Sequence, residues 1–185
     1  MRVSCDMLTP GRRYLGLWLP FLSAENRTKQ CGPSESDRPH VFVERVRGAM
    51  RLSAIDRAAH ELGLVVGLSL ADARARIPDL VATPADPASD ARLMLWLAEW
   101  CERFTPLVAL EPPDGLMLDI TGCGHLFGDE ADLRAALRQG LQRLGFTICA
   151  SIAATPDAAR ALARHGREGN PTSALPVIAL EAGEE

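Results

Sequence analysis

Apolar residues run almost unbroken from Tyr14 to Leu22, and a small polar patch follows. A continuous run of that length predicts a buried strand over Tyr14 to Leu19, since central strands are apolar on both faces. "HVFVERV" (40–46) alternates like a second strand, and "DLVATPAD" reads as extended. "LSAIDRAAHELGL" (52–64) places Leu52, Ile55, Ala59 and Leu62 at spacings of three and four before Gly63, which predicts a helix. "SLADARARI" (69–77) is a short helix with Ser69 as its N-cap and Pro78 just past its end. Residues 88–104 give the clearest helix: Leu93, Trp96, Leu97, Trp100 and Phe104 form one stripe, read as core rather than as a base-stacking surface.

The second half continues in the same manner. "LVALEPPDGLMLDIT" reads as two strands around Pro112-Pro113-Asp114-Gly115, or one strand kinked there. A helix over about 129–143 turns Leu133, Ala136, Leu137 and Leu141 inward. "FTICASIAA" is a strand, and Thr155-Pro156-Asp157 opens a last helix in the order N-cap, proline, acid. The polar stretch 26–40 reads as a loop, and the tail 166–185 as loose. Strands with intervening helices indicate an α+β or α/β layer.

Composition adds limits. The chain has 185 residues, 20 basic and 24 acidic side chains and a net charge of −4, so bulk charge does not mark it as a nucleic-acid binder. Arginines 45, 47, 51 and 57 are the place for a local basic surface. Between Asp79 and Asp119 the acids outnumber the bases, Arg92 and Arg103. Asp114 and Asp119 stand as a magnesium pair at a strand turn or, equally readably, as a turn residue and a cap. Cys5, Cys31, Cys101, Cys123 and Cys149 are odd in number, widely spaced and without C-x-x-C, which reads as a reduced, cytoplasmic chain. Arg12 and Arg13 before an apolar run imitate an export signal. Pro20 interrupts that run, Leu22 is a poor residue before a cleavage site, and the run is too short to span a membrane. The chain carries no P-loop, G-x-G-x-x-G after a strand, H-E-x-x-H or G-x-S-x-G.

Longer motifs go further. "AAHELGLVVGLSLADARARIPDLVATPADPASD", followed by "CERFTPLVALEPPDGLMLDITGCGHLFG", resembles the Y-family translesion DNA polymerases. Within them it is most similar to the ImuB branch, the polymerase-like subunit of a bacterial mutagenesis complex. "YLGLWLPFLSAE" and "TICASIAATPDAARALARHG" fit the same family in order.

The resemblance implies an α+β fold. A palm with a mixed or antiparallel sheet and two packed helices would take residues 12–25 and 96–165, and small fingers would take 26–95. Active members hold two metal ions with an Asp-x-Asp on the first strand and an Asp-Glu pair on the hairpin before an LDVT-like segment. Aligned on "PFLSAE" and on Leu118-Asp119-Ile120-Thr121, those positions fall on Gly16, Trp18, Asp114 and Gly115, so only Asp114 keeps a carboxylate. The triphosphate-holding Tyr and Arg of the fingers fall on Arg57 and His60.

These departures imply a catalytically inactive member with no metal and no cofactor. It would be a scaffold for an error-prone polymerase in DNA damage tolerance and induced mutagenesis. Its partners would be the other subunits of a mutagenesis complex, with DNA touched weakly or indirectly and no membrane. The family continues into a thumb, a little finger and a clamp-binding segment, which a chain ending at Glu185 is read as lacking. Two alternatives stand beside this. One is an active nucleotidyltransferase using Mg2+ through Asp119 or Glu111. The other is a truncated interaction fragment without a DNA role.

Overall fold

A computed structural model describes residues 11–32 and 38–166. In chain order the elements are β1 (Tyr14–Trp18), α1 (Leu22–Cys31), β2 (His40–Val46), β3 (Ala49–Ile55), α2 (Arg57–Glu61), α3 (Leu70–Arg76) and β4 (Val81–Pro84). There follow α4 (Pro87–Cys101), β5 (Val108–Glu111), β6 (Gly115–Asp119), a 3-10 turn (Gly124–Leu126), α5 (Glu130–Arg143), β7 (Cys149–Ala153) and α6 (Pro156–His165).

Two sheets organise these elements. The larger has the order β5-β6-β1-β7 and is antiparallel throughout. The smaller has the order β3-β2-β4, with β2 antiparallel to β3 and parallel to β4. Each sheet has its own core. Leu15, Leu17 and Leu19 of the first strand and its extension pack with Met94 and Leu97 of α4 and with Leu133, Leu137 and Leu141 of α5. Val41, Val43, Leu52, Ile55 and Leu64 fill the second. Helix α6 lies on the face of the large sheet opposite to α4 and α5, against β1 and β7. The architecture is α+β, with one antiparallel and one mixed sheet.

The helices begin where side-chain oxygens accept orphan N–H groups. Asp56, Ser69, Asp86, Asp129 and Thr155 each cap the helix that follows, and Pro87 and Pro156 occupy first-turn positions.

Four expectations need correction. Residues 52–64 are not one helix: Ala49–Ile55 is strand β3, and only Arg57–Glu61 is helical. The cause is a bulge. Phe42 pairs with Ala54 and Val43 with Leu52, so Ser53 is left over. Leu52 and Ile55 therefore share the core face at a spacing of three, which imitates a helical period. The polar stretch after residue 26 is not all loop, because α1 runs to Cys31. Its polar residues face polar residues of α4: the buried Asn26 side chain donates to Ser89 Oγ at 3.1 Å and to Asp90 Oδ1 at 2.8 Å. Trp96 is 45% exposed, outside the buried stripe of Met94, Leu97 and Cys101. Ala136 is likewise exposed, while Leu133, Leu137 and Leu141 carry the inner face of α5. Residues 33–37 and the tail from 167 onward lie outside the described residues.

Candidate functional site

Alternation along β1 sends Leu15, Leu17 and Leu19 to the α4/α5 side and leaves Gly16 and Trp18 on the side of α6. The strand pairs Trp18 with Gly115, at the mouth of the β5–β6 hairpin whose turn is Pro112-Pro113-Asp114. The Leu19 amide donates to the Asp114 carbonyl at 2.9 Å, which holds the turn against the end of β1.

Here the indole Nε1–H of Trp18 donates to Asp114 Oδ2 at 2.9 Å. Arg164, near the end of α6, donates to Asp114 Oδ1 at 2.5 Å. The same guanidinium lies 5.6 Å from the centroid of the Trp18 ring, within cation–π range. Both carboxylate oxygens of Asp114 are thus engaged by donors from the chain itself. One turn back on α6, Arg160 is paired with Glu111 at the end of β5.

The two glycines occupy tight places. A Cβ on Gly16 would lie 2.8 Å from the carbonyl carbon and oxygen of Ala159 in α6. Any side chain there must push a helix backbone away. A Cβ on Gly115 would lie 3.1 Å from the Glu111 carbonyl oxygen and 3.2 Å from that of Leu17. Of the palm positions named from the sequence, the structure brings together the side chains of Trp18 and Asp114 and places Gly115 across from Trp18. The side-chain direction of Gly16 is filled by α6.

The fingers positions are used differently. Arg57, the first residue of α2, donates to Thr147 Oγ1 at 3.0 Å and lies 5.3 Å from the Phe21 ring centroid. His60 meets the same ring edge-on at 5.9 Å. Beneath them, Glu25 Oε1 accepts the Thr147 backbone N–H at 2.9 Å. Its Oε2 is buried without a hydrogen-bond partner among the described residues. Burial pushes the Glu25 carboxyl up from its ordinary range, against hydrogen bonding from Thr147 and the positive charges of Arg57 and Lys29. These contacts join the α2 end of the small sheet to the loop before β7 of the large one.

Between the small sheet, α4 and the hairpin lies a cleft of about 490 Å³, lined among others by Ala54, Met94, Leu95, Leu110 and Pro113. Its charged lining residues are Glu44 and Asp90. Asp119 stands at the other end of β6, paired with Tyr14, and its Oδ1 accepts the Thr121 N–H at 3.0 Å. Among the described residues no three His, Cys, Asp or Glu side chains form a group that could hold a metal ion. Cys101 and Cys149 are buried, and burial pushes their thiols up to about 12 and about 11.

Sequence reasoning missed Arg160, Arg164, Thr147 and Phe21. The signal available was the i, i+4 spacing of the two arginines beside Ala159 and Ala163, which marks a helix with a small packed face and a cationic edge.

A four-stranded antiparallel sheet with the acid-bearing hairpin beside its first strand, joined to a small mixed sheet, defines a polymerase-like palm with fingers. The chain belongs to the impB/mucB/samB family, whose model matches residues 23–164. Protein ImuB of Caulobacter vibrioides (strain NA1000 / CB15N) is 46% identical over 132 residues, 66% of this chain and 29% of that protein. The chain therefore spans under a third of the length of the curated relatives it matches. Among solved structures, an insertion ternary complex of Dbh DNA polymerase is similar with a TM-score of 0.74 at 16% identity, over 90% of this chain and 48% of that one. DinB from Sulfolobus solfataricus is similar with a TM-score of 0.64 at 14% identity, over 76% of this chain and 42% of that one. At these identities the likeness establishes the fold. Among the described residues no helix is long and apolar enough to cross a membrane.

Proposed function

We propose that this chain is a catalytically inactive, polymerase-like protein of DNA damage tolerance and induced mutagenesis, acting as a cytoplasmic scaffold for an error-prone polymerase. The observation that carries the reading is the engagement of both Asp114 oxygens by Trp18 and Arg164. Two-metal phosphoryl transfer needs several carboxylates converging on ions that bridge the attacking and leaving oxygens. One carboxylate, already neutralised by a guanidinium, does not fit that pair of ions, and Trp18 offers no oxygen to a hard cation. Arg57, at one of the aligned triphosphate positions, lines a separate pocket with Phe21 and Glu25 and there donates to Thr147.

The resemblance to Protein ImuB supports the assignment to a mutagenesis complex, with other subunits as partners and DNA contacted weakly or through them. The active alternative would need Asp119 or Glu111 as replacement ligands. Asp119 stands at the far end of β6, and Glu111 is committed to Arg160.

Primer extension with Mg2+ or Mn2+ tests the reading. Incorporation should not exceed a no-protein control. Template-dependent extension that disappears in Asp114→Ala would refute it. Binding of primer–template DNA separates the scaffold from a fragment with no DNA role.

A further inference from the structure

We infer that Arg164 serves Asp114 as a built-in cation and, with Arg160, clamps the β5–β6 hairpin onto α6, so that the palm is organised without any bound ion. This rests on the inactive reading, which removes the requirement for metal but does not say what holds the hairpin instead.

The arrangement is made from both sides. From the sheet, Gly16 lets α6 approach so closely that a Cβ would touch the Ala159 carbonyl at 2.8 Å. From the helix, Ala159 and Ala163 are the small residues at 0% and 2% exposure on the packed face. That seating brings Arg160 and Arg164, one turn apart, over the two ends of the hairpin turn. Arg160 takes Glu111 on the β5 side and also reaches Asp157 Oδ1 at 3.3 Å. Arg164 takes Asp114 on the β6 side. Trp18 completes the clamp with an N–H to the second oxygen of Asp114 and a ring face toward the guanidinium.

The pair is not an ordinary surface ion pair. The Arg164 and Asp114 side chains are 30% and 23% exposed, so water and salt screen them less than a freely exposed pair. A guanidinium is charged at every physiological pH, and its tether keeps it at high effective concentration beside the carboxylate. A divalent ion offered to Asp114 must displace it and would find no second carboxylate among the four aligned positions. The clamp is therefore also a lock against metal.

Hydrogen exchange and thermal melts test this on the intact chain, with Arg164→Met, Arg164→Lys and the double variant Trp18→Asp/Arg164→Met. Mn2+ at about 1 mM is compared with chelator at matched ionic strength. Arg164→Met should lower the melting midpoint by about 3–8 °C. It should speed exchange across residues 111–119 by about tenfold, while β2 and β3 exchange as before. Arg164→Lys, which keeps the charge and loses the fork, should fall between. Mn2+ should leave the parent chain's midpoint unchanged and raise that of the double variant, whose site again offers paired carboxylates. Unchanged exchange at 111–119 in Arg164→Met, with the parent indifferent to Mn2+, would overturn the clamp alone. A parent chain stabilised by Mn2+ would overturn the inactive reading with it. If the double variant does not fold, the Met and Lys exchange profiles still decide.

Discussion

Trp18 and Gly16 occupy one face of one strand and do opposite things. Trp18 fills space and donates a hydrogen bond; Gly16 yields space to a helix. Trp18→Phe keeps an aromatic ring, though a smaller one, and removes the donor to a charged acceptor, so it should cost at least about 1–2 kcal/mol in denaturant titration. Gly16→Asp should cost more, about 3 kcal/mol, because its side chain meets backbone rather than a movable side-chain tip. Equal stability of Gly16→Asp and the parent chain would mean that α6 is not seated as described. That positions 16 and 18 carry no carboxylate was legible, since a residue's identity is visible without a structure. What replaces them was not legible. Arg164 is 146 residues away from Trp18 in the chain, and no local pattern announces a partner at that separation.

At the scale of elements, β1, β6, β7, α5 and α6 were readable because apolar period, caps and turn residues agree within each segment. Reading failed where one rule imitated another. The bulge at Ser53 disguised β3 as a helix, and polar residues satisfied by a neighbouring helix disguised α1 as a loop. The junction between α2 and the loop before β7 offers a test at this scale. Glu25 is a carboxyl raised by burial, so the folded state binds its proton more tightly than the unfolded chain. Stability then falls as pH rises through the interval above the ordinary carboxyl value, and Glu25 opposes folding at neutral pH. Glu25→Gln keeps an oxygen for the Thr147 N–H and removes the buried charge. Urea titrations between about pH 4 and 7 should show a flatter pH profile for this variant and a midpoint at pH 7 no lower than the parent's. A steep loss at pH 7 would mean that attraction to Arg57 and Lys29 outweighs burial.

For the whole molecule, the burial of two thiols in the large-sheet half, against one exposed thiol on α1, predicts the order in which unfolding uncovers them. Cys31 is exposed, whereas Cys101 and Cys149 are buried with thiols raised to about 12 and about 11. Iodoacetamide at neutral pH should modify Cys31 in the folded protein and reach Cys101 and Cys149 only as the large sheet opens. Mass spectrometry of peptides taken along a urea series would check this. Modification of Cys101 in native buffer would contradict the packing of α4. The broad architecture was legible in the order of motifs. That Arg57 and His60 belong to a seam between the two sheets was not legible, because that role depends on Phe21 and Thr147 lying together.

The seat of α6 over Gly16 also bears on history. In a protein that loses a catalytic acid to a small residue, reversal looks easy, because one substitution restores the acid. On the inactive reading proposed above, the volume beside position 16 belongs to helix backbone, since a Cβ there would stand 2.8 Å from the Ala159 carbonyl. A return to catalysis would then require α6 to withdraw and Asp114 to be released from Arg164 before added acids could act. Each early step would loosen the fold before any activity followed, so the order of changes itself would close that route.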